Sequence, residues 1–411
     1  AYLSTSAEWD ENTHDLLVLS NLHPRQIVLG KLLSALTQAL LYYSTFGPFL
    51  VFAFLLNGID LLSISVLLAC SLAACVGLSL VGIALASLAR VKAARGILMA
   101  VFGAALVMVW GASMGAAAEI SSSPQDLRDP EGQIAVASFL TFALLVGGLF
   151  CAIACARFAH EEENRSTGLR ILGTGVLLFA SVWSAWLNAQ FGQEEIAWGA
   201  QIAAACVLFV LWVFFLTEPD PLGRRMSKHV PARPWLALLA TPFLPGGGRA
   251  TLLLLVHFLC ALAGALLALE AGTTKSGDAA EVVRMVSVLY AFVFVYLALP
   301  AGIASYLVRT GRGRIRARVA IALLLPLAIL GPGLLGLLLG IDFLMELEHP
   351  LNPAYVLQET ERWGDGGGVL APLFALAVIA SVLVVFNAKR VHGGVVEVLS
   401  ASRARRERLR G

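Results

Sequence analysis

The chain has 411 residues, 58% of them hydrophobic and 14% charged, with a formal net charge of +2 and a mean hydropathy of +0.81. These proportions exclude a water-soluble globule of this length, which needs far more polar surface to cover its core. The small net charge hides a segregation: ionisable residues lie almost wholly in breaks between apolar runs of about 20 residues, the length that crosses a hydrocarbon core.

The first residue is Ala1 and no short apolar leader with a cleavage site precedes the first long run, so the natural start is expected upstream. Residues 8 to 31 read EWDENTHDLLVLSNLHPRQIVLGK, an acidic start passing into a leucine-rich stretch and then a proline. Asp10, Glu11 and Asp15 suit the first turns of a helix, where negative charge meets the positive end of the dipole, and Leu16, Leu17 and Leu19 can bury against membrane helices. Pro24 is expected to end this short helix and turn the chain into the membrane. Lys31 is expected to snorkel to the interface.

Apolar segments follow at 26 to 56, 61 to 89, 96 to 118, 133 to 156, 169 to 188, 196 to 216, 251 to 270, 285 to 308, 319 to 340 and 369 to 387. Lipid offers no hydrogen-bond partners, so each run must satisfy its backbone internally, and Leu/Ala-rich runs of this length do so as helices rather than as barrel strands. The expected fold is all-α, a polytopic bundle of about ten transmembrane helices. Assigning alternate breaks to opposite sides puts 25 of the 29 Lys and Arg on one side; the other holds only Arg128, Lys275, Arg284 and Arg362. The cytoplasmic side carries such an excess, so both chain ends are expected there, with the protein in the cell inner membrane.

Two breaks on the opposite side are long enough for structure of their own: 120 to 132, expected to form a lid, and 341 to 368, expected to hold a short amphipathic helix. Residues 217 to 249, with Pro219, Pro221, Pro231, Pro234 and Gly246 to Gly248, are the most linker-like stretch. The expected divisions are 1 to 158, 159 to 234 with two spans and the cytoplasmic linker, and a four-span region over 235 to 411.

Catalytic signatures are missing from the sequence. Phosphate cradling needs a glycine-rich loop followed by Lys and Ser/Thr, and the nearest approach, Leu244 to Thr251, lacks the lysine; it reads as a flexible hinge. His160 to Asn164 has the start of a zinc-protease helix but Asn164 stands in place of the second histidine. No cofactor or metal is expected, and the six cysteines lie in apolar runs as small hydrophobes. His257, on a leucine-rich segment, is expected to hydrogen-bond a neighbouring helix. Gly111 with Gly115 and Gly336 with Gly340 have the spacing of close helix packing. The basic tail, Arg403 to Arg410, is expected to meet anionic lipid, and lacks the aromatic surface of a nucleic-acid binder.

The residues Glu11, Thr13, Asp15, Leu16, Leu17, Ser20, Leu22, Ile27, Val28, Gly30 and Lys31 resemble the corresponding element of ABC-2 type permeases, the membrane subunits of ABC exporters; His14 and Asn21 depart from that pattern. The resemblance covers residues 1 to about 158. It implies that residues 8 to 22 are a coupling helix docking a separate ABC ATPase subunit through Glu11, Thr13, Asp15, Leu16, Leu17, Ser20 and Leu22. Four spans then follow, two further ones lie upstream, ATP is bound by the partner alone, and the permeases pair as a dimer. The sparse charge within the spans points to an apolar or amphipathic substrate. An ion-coupled secondary transporter and a non-transporting scaffold are the alternative classes.

Overall fold

Long apolar runs with neither charge nor polar face can hide their backbone only by closing every N–H onto a carbonyl four residues back, and in the computed structural model the regular secondary structure of the described residues is helical. The structure describes residues 2–10, 22–56, 60–88, 92–122, 125, 127–159, 164–191, 204, 208–209, 211–271, 292, 294–298, 300–302, 318, 321 and 370–410. Among these residues, helices are α1 (Tyr2–Asp10), α2 (Pro24–Leu55), α3 (Leu61–Leu88), α4 (Lys92–Ser122), α5 (Pro130–Phe158), α6 (Thr167–Phe191), α7 (Arg224–Ser227), α8 (Pro234–Ala240), α9 (Gly247–Ala271) and α10 (Leu370–Arg410). A 3-10 turn (Thr241–Phe243) and a π-helical segment (Phe294–Ala298) are also present, and residues 211–216 are helical. The chain divides into two compact units, Ala1–Leu172 and Gly173–Gly411, and α6 runs across the division.

Six of these helices, α2 to α6 and α9, are long and apolar enough to cross a membrane, and the chain is a multi-pass membrane protein. Phe49 is 72% and Met108 76% exposed, a disposition that suits lipid and not water. The expected ten spans are therefore corrected to six among the described residues. Most of the segments 285 to 308 and 319 to 340 lies outside those residues, the segment at 196 to 216 is described only in part, and α10 opens with the apolar run at 369 to 387.

In the first unit α3 and α5 form the most extensive contact. Their small residues permit it: a Cβ on Gly147 would lie 3.9 Å from the Gly77 Cα and 3.4 Å from a Leu80 methyl. Gly111 and Gly115, expected to make such a contact, have nothing within 4 Å of a Cβ, so their spacing is not used for packing among the described residues. Two polar contacts fix direction. The Arg128 guanidinium meets Asp60 (3.5 Å) where α3 and α5 start, and Arg157 Nε donates to the Ser87 carbonyl (3.1 Å) where they end. The two helices are thus parallel, and α4 is the return segment that joins them in the chain. Among the described residues of the break expected to be a lid, the Arg128 N–H donates to the Gln125 carbonyl (2.8 Å) in a turn and Leu127 is buried.

Asp60 caps α3, taking the Ser63 N–H (3.3 Å) and the Ser63 hydroxyl. The hydroxyl bond chiefly, against a counteracting desolvation, and then the Ser63 N–H and Arg128 hold the Asp60 carboxyl below its ordinary value of 3.8. A depressed carboxyl stabilises the fold above its unfolded value and loses that contribution as the pH falls through the folded one. The melting-temperature difference between wild type and Asp60→Ala is accordingly expected to be full at neutral pH and to shrink below pH 3.8. A difference that stays constant into strong acid would show that the carboxylate charge plays no part in the cap.

Candidate functional site

The end of the first unit at which α2 and α4 begin and α3 and α5 finish carries the region singled out in the sequence. Pro24 stands at the first position of α2, where its missing N–H costs nothing. The His23 side chain accepts from the Arg25 N–H (3.5 Å) and Gln26 Oε1 accepts from the His23 N–H (2.9 Å), so the helix is capped from both directions. The proline therefore opens the long helix. Directly behind it, Ile27 and Val28 of α2 pack with Leu80, Ile83 and Ala84 of α3 and Ala154 and Phe158 of α5 in one buried cluster.

The short α1 is seated against α3 and α4. Tyr2 stacks on Phe102 with ring centroids 5.8 Å apart, and a Cβ on Gly82 would touch both residues at 3.4 Å. Thr5 is fully buried. Glu8 of α1 forms an ion pair with Lys31 of α2; the lysine is neutralised within the bundle, which corrects the expectation that it snorkels. Glu8 belongs to α1, so the helix expected over 8 to 22 does not begin as a separate element at that residue. Of the seven expected docking residues, Glu11, Thr13, Asp15, Leu16, Leu17 and Ser20 lie outside the described residues. Leu22, half exposed, precedes the α2 cap. The stretch expected to dock a partner is thus flanked by two helices that an ion pair holds together.

The second unit has a polar constellation that sequence reasoning missed. Arg249, in the first turn of α9, is 1% exposed. Its guanidinium donates to the carbonyls of Pro245 (2.6 Å), Asp220 (2.6 Å) and Gly394 (3.4 Å) and pairs with Glu397 of α10 (3.1 Å). Glu397 also accepts the Leu222 N–H (2.7 Å). Asp220 grips Arg390 of α10 through both carboxylate oxygens (3.0 and 3.2 Å) and takes the Gly248 N–H (2.8 Å), while Glu218 takes the Gly246 N–H (2.9 Å). Two carboxylates therefore meet the positive end of α9 and its orphan donors, an arrangement favourable in both charge and hydrogen bonding.

This network converts the linker-like stretch at 217 to 249 into packed structure. Gly246 has φ +133°, which a side chain would strain, and Gly247 and Gly248 give backbone contact where a Cβ would strike the Leu216 carbonyl (2.6 Å) and the Arg390 carbonyl (2.5 Å). The glycines expected to form a hinge are where the start of α9 meets the backbone of α10. The signal was in the sequence as acidic Glu218 and Asp220 followed by a Gly-Gly-Gly-Arg run, but Arg249 and Asp220 find their charged partners, Glu397 and Arg390, 148 and 170 residues away.

Deeper in the same unit, His257 is fully buried. The Trp212 indole N–H donates to His257 Nδ1 (3.0 Å), leaving the ring proton on Nε2, which faces Thr174 Oγ1 at 2.8 Å. Both nitrogens are engaged with side chains outside α9, as expected for an isolated histidine on an apolar helix. Asn387 of α10 donates to the carbonyl of Ala298, the last residue of the π-helical segment (3.2 Å), and Gly302 leaves the space its amide fills. These contacts fix the tautomer and rotamer of buried polar groups; among the described residues no group of three His, Cys, Asp or Glu is placed to hold a metal ion. No protein-family model, curated protein or solved structure matches the chain.

Proposed function

We propose that the chain is the membrane-spanning permease subunit of an ATP-driven exporter of the ABC-2 type, with both ends cytoplasmic and the nucleotide chemistry on a separate ATPase subunit. The observation that carries this reading is the stretch from Glu11 to Leu22, acidic and then leucine-rich, placed directly before a proline-started first long span. Its flanks suit the role. A partner pushing on the stretch acts on α1 and α2 together, because Glu8 and Lys31 pair between them, and α1 is seated on α3 and α4. A rigid displacement of that kind is how closure of soluble subunits reaches membrane helices.

The substrate in this reading is apolar or amphipathic, in keeping with spans that bury few charges, and two permeases pair to form the path. The exporter reading is favoured over an ion-coupled one because His257, set in the middle of α9, has both ring nitrogens engaged, whereas a proton relay needs a group free to load and release.

The test is capture of the ATPase. The full chain, solubilised in mild detergent, is expected to co-purify with an ATPase bearing a phosphate loop and encoded by the adjoining reading frame, and Leu16→Asp with Leu17→Asp is expected to abolish the association while the elution profile stays monodisperse. Retention of the ATPase by the double variant would remove residues 8 to 22 as the docking element. Substrate movement that follows an ion gradient without nucleotide would remove the exporter reading itself.

A further inference from the structure

The basic tail does not stand free. Arg405 donates to the Val230 carbonyl (2.7 Å), Arg406 to the Ala232 carbonyl (3.3 Å) and the Ser402 hydroxyl to the same carbonyl (3.1 Å). The far part of α10 is thereby a brace for residues 226 to 244, and Val398 joins Met226, Val230, Ala237 and Leu244 in a small core. This accounts for one face of α8. The opposite face is apolar and bare: Trp235, Leu238 and Leu239, spaced as one helical face, are 57%, 53% and 65% exposed.

From this placement we infer that α8 is an interfacial helix, lying in the plane of the bilayer with Trp235, Leu238 and Leu239 sunk into the boundary between headgroups and acyl chains of an anionic leaflet. Three observations select lipid as the occupant. Only six residues, 241 to 246, separate α8 from α9, which enters the membrane at once, so the bare face is held within reach of the bilayer surface. Exposed Arg225, Lys228 and Arg233 precede it in the chain and exposed Arg403 lies on the brace beside it, giving positive charge at the height of lipid phosphates. Tryptophan at the edge of an apolar helix face is the residue that prefers this boundary, its ring apolar and its N–H able to reach water or headgroup oxygen. The inference rests on the multi-pass character of the chain and is independent of the exporter reading.

The test uses the full chain, with its cysteines replaced, in bilayer discs of phosphatidylcholine with and without phosphatidylglycerol, and one nitroxide label at a time. A label at Leu238 or Leu239 is expected to be readily relaxed by oxygen and shielded from a water-soluble nickel complex, matching a label at Leu259 on the lipid-exposed face of α9. A label at Arg403 is expected to be open to nickel. Shielding at Leu238 is expected to deepen when the anionic lipid is present. Full nickel access at Leu238 would overturn the proposal in favour of a water-facing helix, and shielding from both relaxants would overturn it in favour of a second protein or a second copy covering α8. Shielding equal in both lipid mixtures would remove the anionic preference. Monodisperse elution of each labelled protein separates these outcomes from misfolding.

Discussion

Glu397→Ala is expected to lower the stability of the detergent-solubilised protein by about 2 kcal/mol, read as a drop in melting temperature and less than for a fully buried pair because the Glu397 side chain is 37% exposed. Glu397 is the carboxylate facing Arg249, a guanidinium with 1% of its side chain exposed. Removing the acid leaves a positive charge buried among carbonyls; those carbonyls satisfy its N–H groups but do not neutralise it. The same substitution frees the Leu222 N–H, which Glu397 also accepts. If the pair is the unit of stability, Arg249→Met combined with Glu397→Leu will lose less than the sum of the two single substitutions, because the guanidinium is then no longer left buried without its counter-charge. Additive losses in the double variant would show that the two residues act through separate contacts. The measurement also reports on the brace: Arg249 and Glu397 join the start of α9 to the extension of α10, so their separation is expected to expose the 226 to 244 region to proteolysis before the rest of the second unit.

The second large effect is expected at Gly248, where a Cβ would lie 2.5 Å from the Arg390 carbonyl oxygen and 2.7 Å from its carbon. Backbone cannot rotate away as a side-chain tip can, so Gly248→Ala must push α9 and α10 apart, lengthening the Gly248 bond to Asp220 and the Asp220 bonds to Arg390 together. Overpacking of this kind costs about 3 kcal/mol at the upper end of its ordinary range. Gly393, one turn further along α10, provides the contrast: nothing lies within 4 Å of its Cβ position. Gly393→Ala removes a flexible residue from a helix interior without a clash and is expected to gain about 0.5 to 1 kcal/mol. Thermal unfolding of the two variants side by side decides the matter, and a Gly248→Ala protein as stable as wild type would show that the two helices are not held at the separation described.

These two sites show how unevenly the structure was legible in the sequence. The helices and most of the spans could be read because the property that makes them is local: a run of apolar residues long enough to cross the bilayer has to close its own hydrogen bonds, and Pro24 starts a helix through its own ring geometry. The isolation of His257 on an apolar helix was likewise enough to predict a bond to a neighbour, though not that Trp212 and Thr174 would be the two partners. The stretch proposed for docking rests on a pattern of residue types alone; its flanks were misread, because whether Lys31 meets water or Glu8 depends on α1 being seated beside α2.

The amino-acid sequence alone thus determined that this is an all-helical, multi-pass membrane protein with its ionisable residues gathered at the helix ends. Tertiary structure decided what those ends do: that Gly246 to Gly248 are a closely packed crossing instead of a hinge, that Gly77 and Gly147 make the helix contact that the spacing of Gly111 and Gly115 suggested elsewhere, and that the arginines of the tail brace α8. The physical reason is the same in each case. Glycine permits both a loose turn and the closest contact, and arginine serves equally as a solvated charge and a buried donor, so the choice belongs to the partner, and the partners Asp220 and Arg390 stand 170 residues apart.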